Sequence, residues 1–174
     1  MPLWRIYHPE GTFLSPTHKS SLASSITSLY TAAGLPAFYV VVLFIPLPSE
    51  NMFIGGQTRP PPPPLDSVTN KHTSLLIPSN LPQSGAPPPQ APFVRVFASN
   101  IARKLPDGEY KAGFRQRVDA ALDAWIRGYG YDWEWHADET DRELWQIQGF
   151  VPPATGSEAE GVWRRENRPV GSVL

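Results

Sequence analysis

Residues 58–92 constrain this chain more than any other stretch. Eleven of its 21 prolines lie between Pro60 and Pro92, in unbroken runs over 60–64 and 87–89 with others scattered between. Proline fixes φ, lacks a backbone N–H and pushes the residue before it out of the α region, so neither a helix nor an interior strand can cross such a segment. It also holds too little apolar surface to bury itself. The expectation is a polyproline-like or disordered insert. A fold must therefore be assembled from the segments on either side of it, together about 140 residues, the size of one domain.

The two flanking halves repeat one plan. Apolar alternation over 3–7 predicts a strand. Ser15 then stands as an N-cap before Pro16, and Leu22, Ile26, Leu29 and Tyr30 recur at helical spacing, which predicts a helix over 16–32 stopped by Gly34 and Pro36. The β-branched and aromatic run over 38–44 predicts a strand buried on both faces. Residues 52–54, ahead of Gly55-Gly56, suggest a hairpin strand. In the second half, 93–97 reads as a strand. Phe114, Val118, Leu122, Trp125 and Ile126 share one helical face ahead of Gly128, and 131–136 alternates aromatic and polar residues as another strand. A short helix over 140–147 is expected before the turn at 149–153. The fold class is α/β in an α+β arrangement: two β-α-β units forming a mixed four-stranded sheet with two helices. The domain spans 1–153, interrupted by the insert, with a tail over 154–174.

Composition excludes several functions. Formal net charge is −1, with no Lys/Arg block or interleaved aromatic platform, so nothing recruits nucleic acid. Absence of cysteine removes disulfides, thiol nucleophiles and thiolate metal sites together. His8, His18, His72 and His136 have no metal-ligand spacing, so neither a metal nor a cofactor is expected. The first residues lack the basic and apolar regions of a signal peptide, and the apolar run over 38–45 is far too short for a bilayer span. The expectation is a cytoplasmic protein without a membrane partner.

Pro2 is the residue with the most pointed chemistry. Methionine ahead of proline is normally removed, which would leave a secondary amine at the mouth of the first strand. An α-amino group titrates near about 8, and burial or a neighbouring cation lowers that value. Such an amine can act as a general base or a nucleophile.

The opening Met1-Pro2-Leu3-Trp4, the paired β-α-β halves, the Gly55-Gly56 turn and the blocks over 26–42, 93–103 and 133–153 resemble the tautomerase superfamily. Members of that superfamily use an amino-terminal proline. The branch most similar is that of cis-3-chloroacrylic acid dehalogenase, in particular a fungal group within it. The resemblance implies Pro2 as the catalytic base, with Arg103 as the catalytic cation for a carboxylate or enolate. It implies Tyr30, Trp135 and Gln146 as substrate-binding positions, a small carboxylate as substrate, and a homotrimer.

The chain also departs from the dehalogenase pattern. Tyr30 stands where the relative has a histidine on its first helix, and only Arg103 remains of an Arg-x-x-Arg pair. Trp135 replaces a tyrosine, and Gln146 replaces the glutamate that activates water, with Glu143 a helical turn before it. Glutamine accepts no proton at neutral pH, so hydrolytic dehalogenation is not expected. Keto–enol conversion needs only one base and a cation for the enolate oxygen. The function expected is therefore a cofactor-independent tautomerase acting on a small 2-oxo or unsaturated carboxylic acid. The alternative is a catalytically degenerate binding or scaffold protein whose polyproline segment recruits partners. Arg95, inside a strand, reads as a salt bridge or subunit contact. Trp133, Trp135 and Trp145 read as core and interface residues.

Overall fold

The first strand, β1 (Leu3–Pro9), follows its alternation: Trp4, Ile6 and His8 turn inward while Leu3, Arg5 and Tyr7 face out. The computed structural model describes residues 2–59, 91–106 and 108–171. Most of the proline-rich insert, and hence its expected disorder, lies outside them. Ser15 caps helix α1 (Pro16–Thr31), its hydroxyl accepting from the His18 N–H at 3.4 Å. His18, Leu22, Ile26 and Tyr30 form the buried stripe. The helix closes through Gly34, whose φ of +81° few other residues would adopt, and the Leu35 N–H returns to the Tyr30 carbonyl at 3.1 Å.

A 3₁₀ turn (Ala37–Tyr39) leads into β2 (Val41–Leu47). Next comes the hairpin of β3 (Phe53–Ile54) and β4 (Gln57–Thr58). Its Gly55 and Gly56 both have positive φ, as a two-residue turn of mirror-image type requires. Beyond the insert come β5 (Phe93–Asn100), α2 (Glu109–Asp123), β6 (Asp132–Glu139) and α3 (Glu158–Glu166).

The main sheet has the order β2-β1-β5-β6. Its outer pairs are parallel and its central pair, β1 with β5, antiparallel. This is the mixed four-stranded sheet expected from two β-α-β units set back to back. Trp4, Ile6, Val94 and Val96 form the sheet side of the core, and Leu22, Ile26, Val118 and Leu122 the helix side. Among the described residues no helix is long and apolar enough to cross a membrane.

Four expectations are corrected. Residues 37–39 form a 3₁₀ turn, and β2 is an edge strand that pairs with β1 alone, with Leu43 44% exposed on the outward face it shares with Arg5. The helix expected over 140–147 shrinks to a 3₁₀ turn (Arg142–Leu144). Gly130 rather than Gly128 takes the left-handed position beyond α2. The segment read as a tail carries a third helix, α3, whose Trp163 is 3% exposed and packs into the core.

Candidate active site

Strand register brings the start of β1 to the finish of β5 and β6. Leu3 lies opposite Ser99 and beside Val41, while Asn100 pairs with Glu139. Pro2 therefore sits at the end of the sheet where β5 and β6 run out. It is fully buried, and its carbonyl accepts from the Val41 N–H at 3.0 Å. The buried Asn100 amide donates to the Arg103 carbonyl at 2.9 Å and folds the loop after β5 back on the strand.

Arg103 is gripped from two sides. Its Nη1 donates to the Ala33 carbonyl at 2.5 Å, and its Nη2 lies 3.2 Å from Glu160 Oε2. The last carbonyls of a helix lack partners and carry the negative end of its dipole, so the end of α1 is a natural seat for a guanidinium. Arg164 takes the next carbonyl, Gly34, at 3.3 Å.

Glu160 reaches this place from α3. Ser157 caps that helix by accepting from the Glu160 N–H at 3.2 Å. In the usual reciprocal box the glutamate would bond back to the cap's own N–H. Here the Ser157 N–H is taken by the Ala154 carbonyl, and Glu160 Oε2 instead accepts from the Gly156 N–H at 2.7 Å and from Arg103. Trp163 anchors the helix, donating to the Val170 carbonyl at 2.8 Å and packing on Phe38 and Tyr39.

Tyr39 is wholly buried between Trp145 and Trp163, with ring centroids 4.9 and 6.2 Å away in edge-on contact. Burial first, and Glu160 second, push its hydroxyl up to about 12 against the opposing pull of Arg142 and Arg103. It is a neutral hydroxyl at pH 7. Arg142 clamps the surrounding loops, donating to the carbonyls of Ala102 at 2.5 Å, Pro152 at 3.3 Å and Pro153, with its guanidinium over the Trp145 ring.

Among the described residues three buried polar atoms in this cluster have no hydrogen-bond partner: Tyr39 Oη, Arg103 Nε and Glu160 Oε1. Leaving such an atom unpaired costs about 1–3 kcal/mol, more for a charged group, so three together single this cluster out as a candidate site. Arg103 and Arg142 also line a cleft of 580 Å³ together with Ala102, Glu143, Val151 and Pro152. Pro2 does not line it.

Of the positions singled out from sequence, Pro2 and Arg103 both lie towards this end of the sheet, one just before β1 and the other just after β5. The others are committed elsewhere. Tyr30 is a core residue whose hydroxyl accepts from Trp4 Nε1 at 3.1 Å, and burial pushes it up to about 12. Trp135 lies level with Val96, four residues short of the Asn100–Glu139 rung, and donates to Asp119 on α2 at 2.7 Å. Gln146 is exposed, because the chain alternates there and turns its neighbours Trp145 and Ile147 inward. Sequence reasoning missed Tyr39, Arg142 and Glu160. The one signal available was Ser157-x-x-Glu160 ahead of Val162-Trp163, a helix-start signature that also exposes which carboxylate is drawn inward.

Over residues 1–168 the chain matches the family described as "Putative oxalocrotonate tautomerase enzyme". The chain belongs to that family. It is 35% identical to RhCC from Rhodococcus jostii RHA1, over 98% of this chain and 99% of that one, with a TM-score of 0.77. A probable enzyme from the thermophilic fungus Aspergillus fumigatus is 38% identical over 98% of this chain and 97% of its own, with a TM-score of 0.75. N1, a member of the cis-3-chloroacrylic acid dehalogenase family, shares the fold at 15% identity and a TM-score of 0.60, covering 95% of this chain and 98% of its own. No curated protein matches. Fold and family thus agree on the tautomerase superfamily, and with it on tautomerase-like enzymatic function.

Proposed function

We propose that this protein is a cofactor-independent tautomerase in which Pro2, freed of Met1, is the base acting on a small 2-oxo or unsaturated carboxylic acid. The observation that carries the reading is the gathering of unpartnered buried groups from Arg103, Glu160 and Tyr39 at the end of the sheet where Pro2 begins. Pro2 serves the carbon beside the carbonyl, taking its proton as the enol forms and delivering one to it as the keto form returns. Arg103 holds the substrate carboxylate or the developing enolate oxygen. Two of its five N–H donors are engaged and its Nε–H is unpaired, so it keeps donors for a charge-assisted hydrogen bond to the substrate. Tyr30, Trp135 and Gln146 carry no step in this reading.

A homotrimer belongs to the proposal. The face of the sheet turned away from the helices leaves Leu43 exposed and holds a groove of 530 Å³ walled by Tyr7, Phe93 and Phe97 beside Arg5, Arg95 and Glu134. Apolar surface of this kind, rimmed by ion pairs, is what subunit contacts cover.

The scaffold reading draws support from one observation: Glu160 already neutralises Arg103, as in a site that has lost its ligand. Intact mass and turnover of phenylenolpyruvate separate the two. The expected mature chain begins at Pro2, and Pro2→Ala lowers ketonisation at least about a hundredfold, the scale of a lost general base. Retained Met1, or equal rates in both proteins, would favour the scaffold.

A further inference from the structure

We propose that Glu160, together with the Tyr39 hydroxyl, is a second proton-handling station of this site, serving the substrate's enol oxygen while Pro2 serves its carbon. The inference rests on the reading of Pro2 as base and extends it to the substrate's other reacting atom.

The two oxygens of Glu160 are used differently. Oε2 is occupied twice over, by Arg103 and by the Gly156 N–H, while Oε1 is buried with nothing bonded to it. An unpaired carboxylate oxygen can only be met by a donor. Arg103 Nε–H, also unpaired, can only be met by an acceptor, and the Tyr39 hydroxyl can serve as either. A ligand that answers all three carries a hydroxyl next to an oxygen acceptor. The enol of a 2-oxo acid has that pattern, and the keto form lacks the donor.

In ketonisation the enol O–H bond breaks and its proton passes to Glu160 Oε1. The electron pair left behind forms the carbonyl C=O, and the former C=C pair forms a new C–H bond with the proton carried by the Pro2 amine. Tyr39 donates a hydrogen bond to the oxygen throughout. Glu160 and Pro2 then restore their protons by exchange with solvent. Arg103, from the loop after β5, pairs with Glu160, and the Tyr39 hydroxyl, from the turn before β2, feels Glu160 together with Arg142 of the 3₁₀ turn and Arg103.

The test measures enol ketonisation against pH in the full-length protein, its Pro2→Ala variant, Glu160→Gln, Glu160→Asp and Tyr39→Phe. For Tyr39→Phe the expectation is kcat lower by about tenfold at nearly unchanged KM, the scale of one lost hydrogen bond to the reacting oxygen; for Glu160→Gln it is about a hundredfold, the low end of the range for a proton-transfer group. The rate lost in Glu160→Gln should be largely restored in Glu160→Asp, which keeps the carboxylate. If Glu160→Gln does not fold, Tyr39→Phe decides, since it removes only an oxygen from a packed ring. Wild-type rates in Tyr39→Phe or in a folded Glu160→Gln, with Pro2→Ala inactive, would overturn the second station and leave the reading of Pro2 standing. Wild-type rates in Pro2→Ala would overturn that reading itself.

Discussion

The two ends of the sheet bury polar groups in opposite ways. Where β1 finishes, His8 Nδ1 lies 2.9 Å from the Thr12 hydroxyl, which in turn donates to the Pro9 carbonyl at 2.7 Å. Beside it His18 Nε2 is 2.6 Å from the Trp125 carbonyl, and its ring stacks on Tyr129 and Phe13 at 3.6 and 4.6 Å. Rings close that end, and of its imidazole nitrogens and hydroxyls only His8 Nε2 is a buried atom without a partner. Where β1 starts, the arginine, carboxylate and tyrosine each keep an unpaired atom among the described residues, and the arginine also lines a cleft. Polar groups at the first end serve the fold. Those at the second end are held in place by the fold and left partly unanswered, which is what a site requires.

The largest expected effect tests how firmly the second end is built. Trp163 carries α3 and, through it, Glu160. Trp163→Ala should lower unfolding stability by about 3–5 kcal/mol, the usual cost of emptying a large aromatic site. Urea unfolding measures this directly. A loss below about 1 kcal/mol would mean that α3 is an appendage and that Glu160 owes its place to Arg103 alone, well outside the range for a buried tryptophan.

Next in size is the ion pair. Arg103→Ala leaves the Glu160 carboxylate buried without its counter-charge. Breaking a buried pair costs about 3–5 kcal/mol, and because Arg103 keeps 29% of its side chain exposed, about 2 kcal/mol is expected here. Adding Glu160→Gln to Arg103→Ala removes the stranded charge and should recover more than half of that loss in the same assay. Equal stability of the single and double variants would show that solvent already screens Glu160, and the contrast between the two ends would weaken.

Physical range decides how much could be read from the sequence. Alternation and helical spacing are local, so β1, α1, β5, α2 and β6 were legible, as was the Gly55-Gly56 turn with its two positive φ angles. The run over 38–44 carries no period, so neither the 3₁₀ turn that buries Tyr39 nor the edge position of β2 could be read from it. Helix α3 escaped because its buried side is little more than Glu160 and Trp163, too few residues to form a stripe. Pro2 stood out by its place after Met1, and Arg103 by resemblance. The partnership of Arg103 with Glu160, and the Tyr39 hydroxyl between the tryptophans, depend on contacts between distant segments that no local pattern announces.

The smallest expected effect lies at the closed end and concerns acid. Burial lowers the pKa of both His8 and His18 from 6.5, in each case against a raising hydrogen bond to a backbone carbonyl, and Lys19 lowers His8 further. In the unfolded chain both imidazoles take up protons as pH falls through about 6.5, the ordinary value, whereas in the folded chain they remain neutral to a lower pH. Between those two points the unfolded state binds more protons, so stability falls as pH falls. Above 6.5 both states are neutral and the contribution is constant; below the folded-state values both are protonated and the loss stops growing. His8→Gln, which can still meet the Thr12 hydroxyl, should therefore flatten the decline of Tm from pH 6.5 towards pH 5 by roughly half, leaving the share of His18. At pH 7 its kcat should match the unmodified protein, since the Pro2 end is untouched. If the two proteins lose Tm in parallel over that interval, the histidines at this end do not govern its acid response. If kcat falls with the substitution, the ends are coupled and the division of labour between them is wrong.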